Sequence, residues 1–567
     1  SAGTTDAMNF SQAGIVLLSD DFTGNVTSSA DGLGTLTVIG NSGGKEQTIT
    51  GNIGTSTSSD INVLNIGSNT VPSNYSKTVV TGNVFANSTV LNNNGTTNSS
   101  TLYLSDGSNI TSTITTVDAN MGILTLAGSS TITGTVGSTG KLAEVNSGAT
   151  SSTSTFTSTV NAVNVTNTGS GTTIFKDDVT ATTVNVNAGT TNFEKNLTAT
   201  STNITTGTGN FNTVSGTTNS NIVFSGSGTA NLYGDITGNI VTTSDNLGTV
   251  TFIGDASGKA QTINGNIGSS ITTDVNVLNI GESGSSNYST VTVNGDIFAK
   301  STVLNNGATA SSELILADGK NITSTITTAD ANMGNLMLNG TSTVSGQVGT
   351  DLKKLANVNA GADGKIGTFN SDVYATNLNV TGTGTVNLDG SYKGDNLTFN
   401  NDGTVILAND KNIDSIIKTD NHGTGNLELS GNSTINKVVG EDGKSLKNIT
   451  AGAAGKVSSF EDNVFALNTN VSSGEIKFEK DLTGNIIALT SNNGVVTFVG
   501  DVSGKTQNIL GNIGNINTLN IGENGTNKYV TTNVNGNINA TNTVLNNGTT
   551  NNSELKLTDG KDINSIV

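Results

Sequence analysis

Apolar and polar residues alternate in short runs along almost the whole chain, as in TLTVIG at 35–40, TLYL at 101–104, ILTL at 123–126, VNVN at 184–187 and TVTFIG at 249–254. Each run is rich in β-branched residues and is closed by Gly, Asn, Asp or Ser, which is how strands ended by turns read. Apolar residues at the helical spacing i, i+3, i+4, i+7 are missing. The pattern therefore predicts an all-β chain.

Between Ser151 and Phe224 the runs repeat. TFTSTVNAVNV carries Phe156, Val160 and Val165; IFKDDVTATTVNV carries Phe175, Val179 and Val186; NFEKNLTATSTNI carries Phe193, Leu197 and Ile204; NFNTVSGTTNSNI carries Phe211, Val214 and Ile222. The phenylalanines recur at steps of 19, 18 and 18 residues, and similar runs surround Phe369, Phe460 and Phe478. A unit this short cannot bury its apolar face alone, so its core forms only when neighbours stack. The expected fold is an all-β, elongated right-handed parallel β-helix (β-solenoid) with roughly 18–20 residues per coil. Coils stacked about 4.8 Å apart would make about 30 turns and a rod on the order of 140 Å.

Longer repeats lie over the short ones. The stretch Gly24–Gly67 returns as Gly238–Gly281 and, shortened, as Gly484–Gly522, so its starts are 214 and 246 residues apart. At 44 residues it amounts to a little over two of the short coils. A second block follows each copy at 89–137, 302–349 and, diverged, 405–440, and a last copy runs from Thr543 to Val567. Stopping midway through that block reads as one continuous solenoid fragment over 1–567 that belongs to something longer. The pairs Asn94-Gly95, Asn306-Gly307 and Asn547-Gly548 are expected at corners that need positive φ. Asparagines at equivalent corners are expected to stack in hydrogen-bonded ladders. Pro72 is the single proline, as befits a chain in which nearly every strand is central.

Composition narrows the function more than the fold. Of 567 residues, 33% are hydrophobic and 12% charged, the net charge is −19, and there is no Cys and no Arg. The 24 cations, all lysine, form no patch, which argues against nucleic-acid binding and against a polybasic membrane anchor. No apolar run is long enough for a membrane helix, and no basic, then apolar, signal peptide is visible at the start.

Candidate chemistry is sparse. His422 lies in a turn, and no second His or Cys exists to complete a metal site with it. Three adjacent acid pairs, Asp20-Asp21, Asp177-Asp178 and Glu461-Asp462, are the carboxylates to weigh for glycosidase chemistry. Neighbours on a strand point to opposite faces, so they do not converge on one substrate. SGKAQT at 257–262 and SGKTQN at 503–508 lack the upstream glycines of a phosphate loop. Asp-rich turns could admit calcium, but no calcium nonapeptide repeats. No catalytic, cofactor-binding or metal residue is assigned.

The stretches GNIVTTSDNLGTVTFIGDASGKAQTINGNIGS at 238–269, KKLANVNAGADGKIGTFNSDVYATNLNV at 353–380 and KSLKNITAGAAGKVSSFEDNVFALNTNV at 444–471 resemble the passenger domains of rickettsial surface cell antigens. These are the outer membrane protein A and B family of autotransporters. The resemblance implies an exported β-helical passenger at the bacterial cell surface, anchored by an outer-membrane β-barrel outside this chain. It implies a role in virulence as an adhesin or coat whose partner is a host cell-surface protein or glycan. A self-associating surface layer (S-layer) or fibre is the alternative, and a carbohydrate-active β-helix enzyme stands behind it. Ice binding by TSTITT at 111–116 and 323–328 would need unbroken Thr ranks, which VNV, FED and LEL interrupt.

Overall fold

The computed structural model describes residues 7–68, 71, 74–95, 97–307 and 309–567, so Pro72 lies outside the described residues. The chain divides into two compact units, Ser1–Ile253 with Gln261–Leu278, and Gly254–Ala260 with Asn279–Val567. No helix occurs among the described residues, and hence none long and apolar enough to cross a membrane. Strands pair in parallel with the strand one coil later, which makes a β-solenoid.

One coil of the first unit shows how sequence makes the wall. The short strand Thr172–Phe175 turns Thr173 and Phe175 inward. A corner at Lys176, Asp177 and Asp178 leads into the eight-residue strand Val179–Val186. That strand buries Val179 and Ala181, then sends Thr182 and Thr183 outward in succession, then buries Val184 and Val186. Two consecutive outward residues break the period of two, so the strand bends there and one run of sequence builds two walls.

In-register stacking aligns like with like. Phe156, Phe175, Phe193 and Phe211 pair in sequence, all buried, with ring centroids 4.9, 5.4 and 5.5 Å apart and interplanar angles of 10–17°. Leu232 and Phe252 continue the column. In the second unit Phe460, Phe478 and Phe498 form another, at 5.4 and 5.7 Å. Ring spacing close to the distance between strands lets each stack add about 0.5–1.5 kcal/mol beyond the area it buries.

Asparagine ladders form in two ways. At a corner, the Oδ1 atoms of Asn25, Asn52, Asn83 and Asn109 each accept the backbone N–H of the next coil, at 2.9, 2.8, 2.9 and 2.7 Å, the last from Thr131. Along strands, side chain bonds side chain: Asn192, Asn210 and Asn231 at 2.6 and 2.8 Å, and Asn335, Asn357, Asn377 and Asn396 at 2.9, 3.1 and 3.0 Å.

Several expectations need correction. The coil averages about 22 residues over about 25 turns, against 18–20 residues and about 30 turns. The short period holds where Asn203 bonds Asn185, 18 residues back, but Asn83 reaches Asn52 across 31 residues and Asn52 reaches Asn25 across 27. Gly24–Gly67 therefore opens with a 27-residue coil and cannot hold two short ones. Parallel pairing fixes only the strands, so the loops between them are free to lengthen.

Val214 is also misplaced by the spacing argument. It is 70% exposed, and the place held by Val179 and Leu197 in the preceding coils is taken by buried Thr218. A bulge over 212–217 carries Val214 outward, while Asn212, at φ +62°, accepts the Thr218 hydroxyl at 2.7 Å. Of the three Asn-Gly pairs, only Gly95 has positive φ, at +58°. A Cβ on Gly307 or Gly548 would instead run into the carbonyl of Ser286 or Asn527. Left-handed corners are often taken by asparagine itself, as at Asn120, Asn246, Asn332 and Asn492.

Candidate functional site

The residues singled out from sequence mostly tie one coil to the next. His422 is exposed, and its Nδ1 accepts the Ser445 backbone N–H at 3.2 Å. The acid pairs lie in corners between strands and not on strands as expected, yet the members of the first two still take different partners. Asp20 meets Lys45 while Asp21 accepts the Thr48 N–H at 2.9 Å. Asp177 meets Lys195 at 3.0 Å while Asp178 takes the N–H and the side-chain amide of Asn196, at 3.2 and 3.0 Å. Asp462 meets Lys480 at 2.8 Å. Burial pushes its carboxyl up, but the hydrogen bonds from Lys480 and Asn463 together with the charges of Lys480 and Lys437 hold it below the ordinary range. Lys195 does the same for Asp177.

The two SGK stretches are turn caps. Asp501 accepts both the N–H and the hydroxyl of Ser503 at 2.9 Å, and Asp255 does likewise with Ser257 at 2.8 and 2.7 Å. Among the described residues no three His, Cys, Asp or Glu side chains gather as a metal site would need.

What collects functional groups is a recess of about 190 Å³ in the second unit, built on the third long repeat and the residues that flank it on either side. Its floor is built by stacking: Lys477 pairs with Thr497 and Thr497 with Asn520, all on the outward face of successive strands. The loop after Ile521 folds back across that face, leaving Thr497 only 2% exposed. There Asn520 Nδ2 donates to Thr497 Oγ1 at 3.1 Å, and Thr497 donates onward to Glu475 Oε1 at 2.6 Å.

The loop is fastened at three places. Lys477 bonds Glu523 at 2.7 Å, and Lys528 approaches the same carboxylate at 3.7 Å. Asn546 donates to the Gly522 carbonyl at 3.0 Å. Tyr529 lies over the preceding turn, its hydroxyl on the Ser503 carbonyl at 2.8 Å. Lys477 keeps Glu523 below the usual carboxylate range against the pull of burial, and Glu523 raises Lys477 in return. Both groups are therefore charged at neutral pH.

No family model, curated protein or solved structure matches this chain.

The repeat supplies an internal comparison. Asn65 donates to Thr37 at 3.1 Å, as Asn520 does to Thr497, and Asn92 and Asn305 reach back to Gly67 and Gly281 as Asn546 does to Gly522. The scaffold is thus common to the copies. The charges are not all common, because Leu17 and Asn231 stand where the third copy has Lys477, although Glu282 of the second copy stands where the third has Glu523. Sequence reasoning missed the site since Lys477 and Glu523 are 46 residues apart. The readable signal was the change from apolar or amide to charge at one register position.

A neighbouring open recess of about 420 Å³ is lined by Glu461, Glu479, Lys480, Asp501 and Lys505, with Lys505 on Glu479 at 2.8 Å. Cross-coil pairs of opposite charge therefore follow one another from Asp462 to Glu523.

Proposed function

We propose that this chain is the surface-displayed passenger of a bacterial autotransporter, similar in kind to the rickettsial surface antigens, and that it works without catalysis as an adhesive coat attaching to host cells. The observation that carries the reading is the outward ranks of asparagine and threonine repeated from coil to coil, such as Asn335, Asn357, Asn377 and Asn396. Identical hydrogen-bonding groups at each coil give many weak contacts, and their combined avidity replaces a single strong site. The motif resemblance at 238–269, 353–380 and 444–471 supports the same reading. Its membrane anchor is then expected outside these residues.

The test is attachment of beads carrying the full chain to cultured host cells at several surface densities. Binding that rises more steeply than density, and that soluble chain competes poorly, is the expected result. Beads that do not attach, with ordered polymers of the chain on electron-microscope grids, would move the assignment to a self-assembling layer or fibre.

A further inference from the structure

We infer that the recess over Thr497 is a binding site for one sugar residue of a glycan, neutral or amine-bearing. This deepens the adhesive reading and rests on it only for the consequence at the cell surface.

The inference starts from what the walls offer. Glu475 and Glu523 present carboxylate oxygens, Asn520 and Asn524 amides and Thr526 a hydroxyl, over a floor at Thr497 whose own hydroxyl is engaged, and no apolar side chain lines the space. The carbon atoms of these same side chains share the walls with their polar tips, so a ligand seated there meets hydrogen-bonding groups and short apolar stretches together. That suits a sugar ring with hydroxyls at its rim and C–H groups on its faces. Unmet groups on an apolar ligand would leave buried donors and acceptors unpaired, at a cost that excludes it. The volume, about 190 Å³, lies below the roughly 300–1,000 Å³ of sites for drug-sized molecules, so one ring fits and a longer chain must extend outward.

Charge sets the second constraint. The lining holds two carboxylates and one ammonium, Lys477, whose charge is already engaged by Glu523 at 2.7 Å. Lys528, outside the lining, approaches the same Glu523 carboxylate at 3.7 Å. Glu475 is thus the carboxylate left without a lysine partner among the described residues, and it disfavours uronic or sulfated sugars while favouring an amino sugar. The relay from Asn520 through Thr497 to Glu475 fixes the acceptor before any ligand arrives, which reduces the ordering cost of binding. The first copy has Leu17 at the Lys477 position and the second has Asn231, so neither repeats this lining. The site belongs to the third repeat and its flanks.

Saturation-transfer NMR on the purified full chain tests this with glucosamine, N-acetylglucosamine and glucuronate as separate probes. The first two are expected to give signal and glucuronate to give about fivefold less, the size of one screened surface charge. Glu475→Gln and Asn524→Ala, which leave the Lys477–Glu523 pair in place, are each expected to reduce the signal severalfold with an unchanged circular dichroism spectrum and melting midpoint. No signal from any sugar, equal signal from glucuronate, or full signal in both variants would each overturn the inference. Bead attachment measured on the same preparations separates the two claims, since cell binding that persists without sugar binding removes only the recess.

Discussion

Asp60 and Asp274 occupy the same place in the first and second long repeats, and each accepts the N–H of a left-handed turn residue, Gly32 at 2.8 Å and Asn246 at 2.9 Å. Burial pushes both carboxyls up, the facing carboxyls of Asp31 and Asp245 push the same way, and the accepted N–H opposes them. A carboxyl raised in the fold takes up its proton more readily folded than unfolded. Its stabilisation is therefore complete below the unfolded value of about 3.9 and is lost as pH rises through the raised folded value. Hydrogen exchange at the Gly32 and Asn246 amides should show protection increasing from pH 7 to pH 4. Asp60→Asn with Asp274→Asn should raise protection at pH 7 by a few tenths of a kcal/mol, since water screens the exposed Asp31 and Asp245, and should flatten the pH dependence. In the third repeat Ser491 replaces the outer acid, and Asn492 donates to the backbone carbonyl of Asn515. Its amide should not respond, and a response equal to that of Gly32 would sink the explanation. Nothing in the spacing of Asp31 and Asp60 announces this pair, because side loops set their separation of 29 positions. Phe175 and Phe193 were legible for the opposite reason: no side loop intervenes, so periodicity and contact coincide.

At the scale of the element, strands were readable and loops were not. Period-two patterning identifies Thr172–Phe175 and Val179–Val186 directly, because each inward residue is apolar or small. The bulge over 212–217 has the same vocabulary of Asn, Thr, Ser and Gly as the strands beside it, so Val214 looked like a core residue and is not. The side loops are held instead by particular fits. A Cβ on Gly504 would overlap the Tyr529 ring, and Gly258 and Gly44 stand in the same relation to Tyr288 and Tyr75. Gly504, at φ +76°, and Gly443, at φ +78°, pay similar backbone costs on becoming alanine, about 1–2 kcal/mol, but a Cβ at Gly443 meets nothing within 4 Å. Gly504→Ala should therefore displace Tyr529 and loosen the turn beyond that cost, exposing the Asp501 and Tyr529 amides that bond across it at 3.3 and 3.0 Å. Limited proteolysis within 522–529 should be faster by about tenfold or more in Gly504→Ala, and Gly443→Ala should leave that loop as resistant as the parent. Similar cutting in both variants would mean that backbone strain alone, without the ring, governs the turn.

For the whole molecule, stability is local because strands pair only with those of adjacent coils, and only side-chain ties such as Lys477–Glu523 reach a second coil. Such a chain behaves as a row of intrinsic terms plus nearest-neighbour interfaces, so one unfolding free energy does not describe it. The Phe156–Phe211 column gives a place to test this. Phe193 stacks on Phe175 at 5.4 Å and on Phe211 at 5.5 Å, both within one unit. Phe193→Ala removes a buried ring and leaves a cavity that rigid strands on either side close poorly, a loss of about 3–5 kcal/mol. In a cooperative globule that loss would lower protection throughout. Here hydrogen exchange followed by mass spectrometry should show faster exchange in Thr172–Phe175, Thr190–Phe193 and Thr208–Phe211, fading within a coil or two. The column Phe460, Phe478 and Phe498 in the other unit should keep its parent protection. The polar ladders sharpen the expectation, since Asn210 bonds both Asn192 and Asn231 and continues to hold its register when the ring below it is lost. The backbone should therefore open without slipping, and full protection should return by Leu232, two coils beyond Phe193 in the same column. Uniform loss of protection across both units would show that coils are coupled over far longer distances than their contacts reach.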